Sequence, residues 1–186
     1  MTISHELDTR FRAAAAEQGL LDVAYELVDT PLGTLLVAAS RAGLCRISYD
    51  PEPERELERL AQALGTRVLR SPKPVDEVRR QLDEYFDRRR HDFELNVDLK
   101  LTSPFSTRVL EELARVPYGE TTTYGELAAR AARPRAARAV GTVMNRNPIP
   151  IVLPCHRVVG ANGSLTGYGG GIERKEALLR LEGALL

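Results

Sequence analysis

The sequence predicts an α+β chain of two lobes, and three observations carry that reading. Short apolar runs bounded by turn residues, at 23–27, 35–39 and 43–49, read as strands in the first half. Apolar residues at helical spacing, within 54–64 and 75–88, interleave with them. Past residue 100 the strand signals give way to short helical segments punctuated by Pro and Gly. With 186 residues, 43% hydrophobic and 28% charged, the chain can bury a core and is too apolar to remain disordered.

Taken in order, residues 4–19 read as an Ala-rich helix, within an N-terminal helical extension over 1–22. A first lobe is expected over 23–100. The runs 23–27 and 35–39 flank DTPLG and make a β-hairpin, with a third strand over 43–49. Leu57, Leu60 and Leu64 follow i, i+3, i+7 spacing and mark an amphipathic helix over 54–64; Val78, Leu82, Tyr85 and Phe86 mark another over 75–88. Phe93, Leu95, Val97 and Leu99 alternate with polar residues, the pattern of a half-buried strand.

The second lobe, 101–186, opens on Thr102, Ser103 and Pro104, a capping residue and a first-turn proline ahead of a helix over 105–116. Pro117, Tyr118 and Gly119 stop it. A helix over 124–132, a turn at Arg133 and Pro134, and a helix from near Arg135 to Met144 outline a helix-turn-helix. Pro148 and Pro150 forbid continuation, so 151–153 is expected to be a brief extended segment delivering Cys155. The run GYGGG at 167–171 is a loop, and 172–182 closes the chain as a helix with Leu178, Leu179 and Leu181 inward.

A net charge of zero hides an asymmetry. Residues 1–100 hold 15 Lys/Arg against 19 Asp/Glu, and residues 101–186 hold 11 against 7. Between Glu126 and Glu173 there is no acid, while Arg130, Arg133, Arg135, Arg138, Arg146 and Arg157 all fall inside. That predicts an electropositive face suited to phosphates. The N-terminal stretch carries scattered charges and no apolar core of a signal peptide, so export and membrane insertion are not expected. Cys45 and Cys155 stand 110 positions apart in unlike contexts, so free thiols in a reducing cytoplasm are expected rather than a disulfide.

Chemistry concentrates at Cys155, His156 and Arg157. A cysteine is a strong nucleophile to the extent that it is thiolate, which calls for a base or a positive field beside it. Neighbouring residues rarely point the same way, so a water bridge from Cys155 to His156 is the simpler relay, and a thiolate at neutral pH is expected. The imidazole needs an acceptor to fix its tautomer, and Glu182 at the end of the last helix is the best candidate. The bland alternative is a buried Cys acting as a small hydrophobe. The helix that begins near Arg135 offers Ala136, Ala137, Ala139 and Gly141 as a smooth surface, with Arg138 the long side chain among them. Small residues at that spacing serve either close helix packing or the minor groove of DNA, and the acid-free stretch favours DNA. A protein acting on a stacked base must extrude it and fill the gap, which Arg138 is placed to do.

The string NPIPIVLPCHRVVG, with YGETTTYGELA and RAARAVG upstream and the glycine-rich loop downstream, closely resembles the O6-alkylguanine-DNA alkyltransferases. The resemblance runs from about Ala24 to Glu182. It implies a ribonuclease-H-like first lobe and a winged-helix/helix-turn-helix second lobe. It also implies one-turnover transfer of the alkyl group from O6 of guanine, and less efficiently O4 of thymine, in duplex DNA to Cys155. His156 becomes the water-mediated base and Glu182 its orienting carboxylate. Asn147 braces the turn behind the cysteine, Tyr124 donates a proton to the departing guanine, and Arg138 replaces the flipped nucleotide. Ala136, Ala137, Gly141, Gly125, Arg133, Arg135 and Tyr168 would complete the DNA-binding surface. The expected protein is a monomer in the cytoplasm, partnered by alkylated duplex DNA and by no membrane, and needing no cofactor. Zinc is not expected, because Cys45 is the lone cysteine of the first lobe, with His5 and His91 far from it in sequence. One departure stands out: Gly169 occupies a position where some relatives place serine, which shifts contacts with the base toward backbone groups. Two other readings remain, a damage sensor that flips the base without reacting and a cysteine hydrolase.

Overall fold

Alternation and turn chemistry set the first unit. The computed structural model describes residues 5–49 and 53–185; residues 1–4 of the expected extension lie outside them. Strands β1 (Val23–Thr30) and β2 (Gly33–Ser40) pair antiparallel around the two residues Pro31 and Leu32, so the hairpin is longer and its turn tighter than the sequence suggests. Strand β3 (Gly43–Ser48) pairs antiparallel with β2, with an irregularity between Ala38 and Ala39. A short strand β4 (Val68–Arg70) runs parallel to β1 and completes a sheet of order β3-β2-β1-β4. Its three residues are too few to carry a period, which is why sequence reading passes over it.

Two helices cover the sheet. Helix α1 (His5–Glu17) packs Ala15 and Ala16 with Leu21, Ala24 and Leu69. Helix α2 (Pro53–Leu64) brings Leu57, Leu60 and Leu64 onto Val23, Tyr25, Leu36, Ala38 and Cys45, the stripe expected from their spacing. Burial of Leu60, the one of the three that is fully covered, contributes about 2 kcal/mol before the entropic cost of ordering it, and the half-buried Leu57 and Leu64 contribute less. Helix α3 (Asp76–Phe86) buries Val78, Leu82 and Tyr85.

The segment 93–99 is not a strand. It makes a single bridge, Leu44 to Val97, through Leu44 N to Asn96 O and Asp98 N to Leu44 O, both 2.8 Å. The reason lies in Gln81, whose side-chain amide takes both backbone groups of Glu94 and so satisfies them without a ladder. Gly43 is required here: at φ 138° a Cβ would stand 2.2 Å from Asn96 O.

The described residues fall into two compact units, one running through Tyr85 and including Glu94–Asp98, the other comprising Phe86–Phe93 and the chain from Leu99 onward. In the second, Ser103 caps helix α4 (Pro104–Leu113) by accepting from Ser106 N, with Pro104 in its first turn. Strand β5 (Thr122–Thr123) leads into helix α5 (Tyr124–Arg130), followed by helix α6 (Ala137–Asn145), the expected helix-turn-helix. Both helices are shorter than expected, because Ala132 takes φ 57° and residues 131–136 form the turn. A 3-10 turn, Cys155–Arg157, then feeds β6 (Val158–Val159), which pairs parallel with β5. Helix α7 (Ile172–Leu181) follows. The core gathers Val109, Leu110 and Leu113 from α4, Leu127 and Ala128 from α5, Val140, Val143 and Met144 from α6, and Leu178 and Leu179 from α7. Leu181, expected inward, is half-buried.

Candidate active site

Asn147 shapes the approach to the cysteine. Its Nδ2 donates to Leu153 O at 2.7 Å and its Oδ1 accepts from Ile149 N at 3.0 Å, closing the intervening residues into a turn. The extended segment expected at 151–153 is therefore a turn, with Ile151 at φ 76°. A β-branched residue in the left-handed region costs about 1–3 kcal/mol and persists where its surroundings over-determine it. Here they do: Ile151 is fully buried and Leu153 N bonds Ile149 O at 2.9 Å. This strained bend sets Pro154 and the Cys155–Arg157 turn in place.

Below the turn lies a buried charge network. His156 Nε2 meets Glu182 Oε1 at 2.9 Å. Arg157 donates to the same carboxylate through Nε and Nη2, each at 2.9 Å, and through Nη1 to Val116 O at 2.6 Å. The guanidinium also sits 5.8 Å from the Tyr118 ring centre. Gly119 allows α7 to end against this turn, since a Cβ there would meet Glu182 O at 3.0 Å. Burial works to raise the Glu182 carboxyl, but the hydrogen bonds from His156 and Arg157 outweigh it and hold it at about 2. Burial pushes His156 below its ordinary value, with Glu182 pulling the other way. An ionised carboxylate beside a neutral imidazole makes Nε2 the donor, so the lone pair is on Nδ1, which is buried and has no partner among the described residues.

Two expectations are corrected by this arrangement. Arg157, counted among the arginines of an electropositive face, is 5% exposed and spent on Glu182. Cys155 is 3% exposed, and burial pushes its thiol up to about 11, with Asn147, Lys175 and nearby backbone groups pulling it back only in part. The resting group is thus a thiol, not the thiolate expected at neutral pH, because desolvation of the anion outweighs the surrounding dipoles.

Tyr124, half-buried at the start of α5, donates to Thr166 O at 3.0 Å and to Gly167 O at 3.4 Å. It is held there by a capping box: Thr123 Oγ1 accepts from Glu126 N, and Glu126 Oε2 accepts from Thr123 N. The Thr-x-x-Glu spacing that signals this box is legible in the sequence. Arg133, Arg135, Arg138 and Gly125 are exposed, and Ala136, Ala137 and Gly141 are half-buried. Gly141 faces the Tyr124 ring at 3.9 Å from where a Cβ would lie. Tyr168 is buried, 8% exposed. At Gly169 a Cβ would approach Asn145 O to 3.2 Å, so a serine there requires that carbonyl to yield.

Sequence reading missed Lys175. It is fully buried on α7 and donates from Nζ to Val158 O at 2.6 Å and Thr166 O at 2.9 Å. Its only sequence signal is a charge on the same helical side as Leu178 and Leu179.

Two family models match the chain: the ribonuclease-like domain of 6-O-methylguanine DNA methyltransferase over residues 23–99, and its DNA binding domain over 104–184. The chain is 42% identical over 158 residues to the methylated-DNA–protein-cysteine methyltransferase of Mycobacterium bovis, covering 85% of this chain and 91% of the relative. It is 39% identical to that of Methanosarcina barkeri, covering 85% and 96%. Among solved structures it is similar to Mycobacterium tuberculosis OGT in complex with DNA, with a TM-score of 0.75 and 40% identity, covering 87% of this chain and 93% of that one.

Proposed function

The chain belongs to the 6-O-methylguanine DNA methyltransferase family, and from that premise we propose how its own residues carry out the repair. The protein restores DNA by moving an alkyl group from guanine O6 to a cysteine, and Cys155 is the acceptor. The observation that carries this reading is the imidazole next to Cys155, with Nε2 locked on an ionised carboxylate and Nδ1 left with a buried lone pair.

A guanine in the stack cannot reach a buried sulfur, so the base is extruded. Arg138, exposed on α6, enters the stack in its place. Ala136, Ala137, Gly141 and Gly125 keep the approach to the groove free of bulk, and Arg133 and Arg135 hold phosphates. Backbone groups at Cys155 and Tyr168 bind the flipped base, with Asn147 bracing the turn.

In the transfer, a sulfur lone pair attacks the alkyl carbon, the S–C bond forms as the C–O6 bond breaks, and the released pair goes into the purine. The thiol proton passes through a bridging water to His156 Nδ1. Tyr124 turns from the Thr166 carbonyl and protonates a ring nitrogen of the departing guanine; the proton held on the imidazole restores the phenol. Thiol and alkylguanine become thioether and guanine, with no cofactor in the balance. With the thiol high and the imidazole low, the proton leaves as the new bond forms and not before. That keeps Cys155 inert toward stray electrophiles until a base arrives.

The same displacement acts, less efficiently, on O4-alkylthymine. Residues 23–100 serve as scaffold and 101–186 as the reactive lobe, with 1–22 an extension. The two free thiols support a reducing, cytoplasmic setting, and no helix of the described residues is long and apolar enough to cross a membrane. Duplex DNA carrying a labelled O6-methyl group tests the reading: the label appears on wild type and not on Cys155→Ala, which still binds the duplex. Label reaching Cys155→Ala at the wild-type rate would overturn it.

A further inference from the structure

Among the described residues, the charge network beside Cys155 leaves one buried cation without a carboxylate. Lys175 is 0% exposed, and both its hydrogen bonds go to neutral carbonyls, Val158 O and Thr166 O. Val158 follows the Cys155–Arg157 turn directly, and Thr166 O is the same atom that Tyr124 holds. One ammonium therefore ties together the strand that leaves the nucleophile and the loop that parks the phenol. When Tyr124 turns to the base, Lys175 keeps the Thr166 carbonyl satisfied. An ammonium buried among carbonyls is costly to maintain, and the cost falls when an anion forms beside it.

We infer that Lys175 is a positioning residue for alkyl transfer: its ammonium holds the Cys155 turn and the Tyr124 loop in one arrangement and sets a positive charge against the sulfur as it becomes anionic. The inference rests on the acceptor role of Cys155 argued above. The groups around Lys175 agree with it. Burial pushes its ammonium down to about 8, and the Cys155 sulfur opposes that push. Lys175 in turn lowers both Cys155 and His156, while at His156 the Glu182 carboxylate opposes it and Arg157 adds to it.

Because a neutral amine still donates hydrogen bonds, the clamp survives deprotonation and the charge does not. Single-turnover transfer from methylated duplex DNA, measured against pH for wild type, Lys175→Met and Lys175→Arg, separates the two. Near pH 7, Lys175→Met is expected to be at least about tenfold slower than wild type, while its DNA affinity is unchanged. The gap should narrow without closing above about pH 9, where wild type has lost its ammonium but keeps the clamp that Lys175→Met lacks, and Lys175→Arg should show no break near 8. A ratio of wild type to Lys175→Met that stays constant across pH would mean a purely structural lysine and overturn the inference. So would equal rates. If Lys175→Met does not fold, wild type still decides. Its rate must break near 8 in step with the Lys175 side chain followed by NMR, and a break without that titration, or no break, overturns it. Wild type transferring nothing at any pH would instead defeat the acceptor role of Cys155.

Discussion

Glu182 is shared between His156, Arg157 and the Gly119 amide, so removing the guanidinium strips a buried carboxylate of its permanently charged partner. Breaking a buried pair in this way costs about 3–5 kcal/mol, and Arg157→Met is expected to lower the melting temperature accordingly in thermal denaturation. Acid should act through the same residues. The Glu182 carboxyl is lowered in the folded chain, so its stabilisation is complete above the ordinary value of 4.5 and is lost as pH falls toward about 2. His156 is lowered too, so stability begins to decline as pH drops below 6.5, where the unfolded imidazole takes a proton and the folded one does not. Unfolding free energy measured from pH 8 down to pH 2 should hold until about 6.5 and fall below it, and Glu182→Gln should flatten the part below 4.5. A curve for Glu182→Gln parallel to wild type below 4.5 would remove Glu182 from the account. At this scale the sequence pointed to Cys155, His156 and Asn147 through a dense motif and to Glu182 through its place at the end of the last helix. It concealed Arg157 and Lys175, because charge in a sequence reads as surface until a fold supplies partners for burying it.

Helices α5 and α6 are legible as elements, and their ends are not. The turn between them begins with Ala132 in the left-handed region, a choice that no alanine announces. The strand expected over 93–99 failed for a related reason, since a distant Gln81 side chain replaced the ladder its alternation called for. Strands β4, β5 and β6 span three, two and two residues, below the length at which a period can be seen. Element-scale predictions follow from the cap and from the α6 surface. Thr123→Ala removes one half of the capping box and should cost about 1 kcal/mol by denaturant titration, and slow transfer by loosening Tyr124. Gly141→Ala should be tolerated, with a helical gain of up to about 1 kcal/mol, because its Cβ falls at an ordinary 3.9 Å from the Tyr124 ring. Gly141→Leu should displace that ring and lower the transfer rate. Arg138→Ala should slow repair in duplex DNA more than reaction with the free alkylated base, and equal rates on duplex would contradict the wedge.

Across the whole chain, charge is divided where composition alone suggests none: residues 1–100 carry more acid than base, and residues 101–186 the reverse. Duplex binding should therefore weaken steeply with salt despite a net charge of zero, and replacing exposed Arg135 by Ala should reduce the slope of log affinity against log salt by about 0.9. A slope unchanged by that substitution would take Arg135 off the phosphate contact. The α+β division was readable from periodicity, whereas the site's chemistry depended on residues from 116 to 182 meeting around one turn, a convergence that only folding creates. The most direct test of the whole account is the mass and stoichiometry of protein incubated with excess O6-methylguanine duplex. One methyl group per molecule, on the peptide bearing Cys155, is the predicted end point. Methyl transfer that exceeds the amount of protein, or a methyl group found on any other residue, contradicts it.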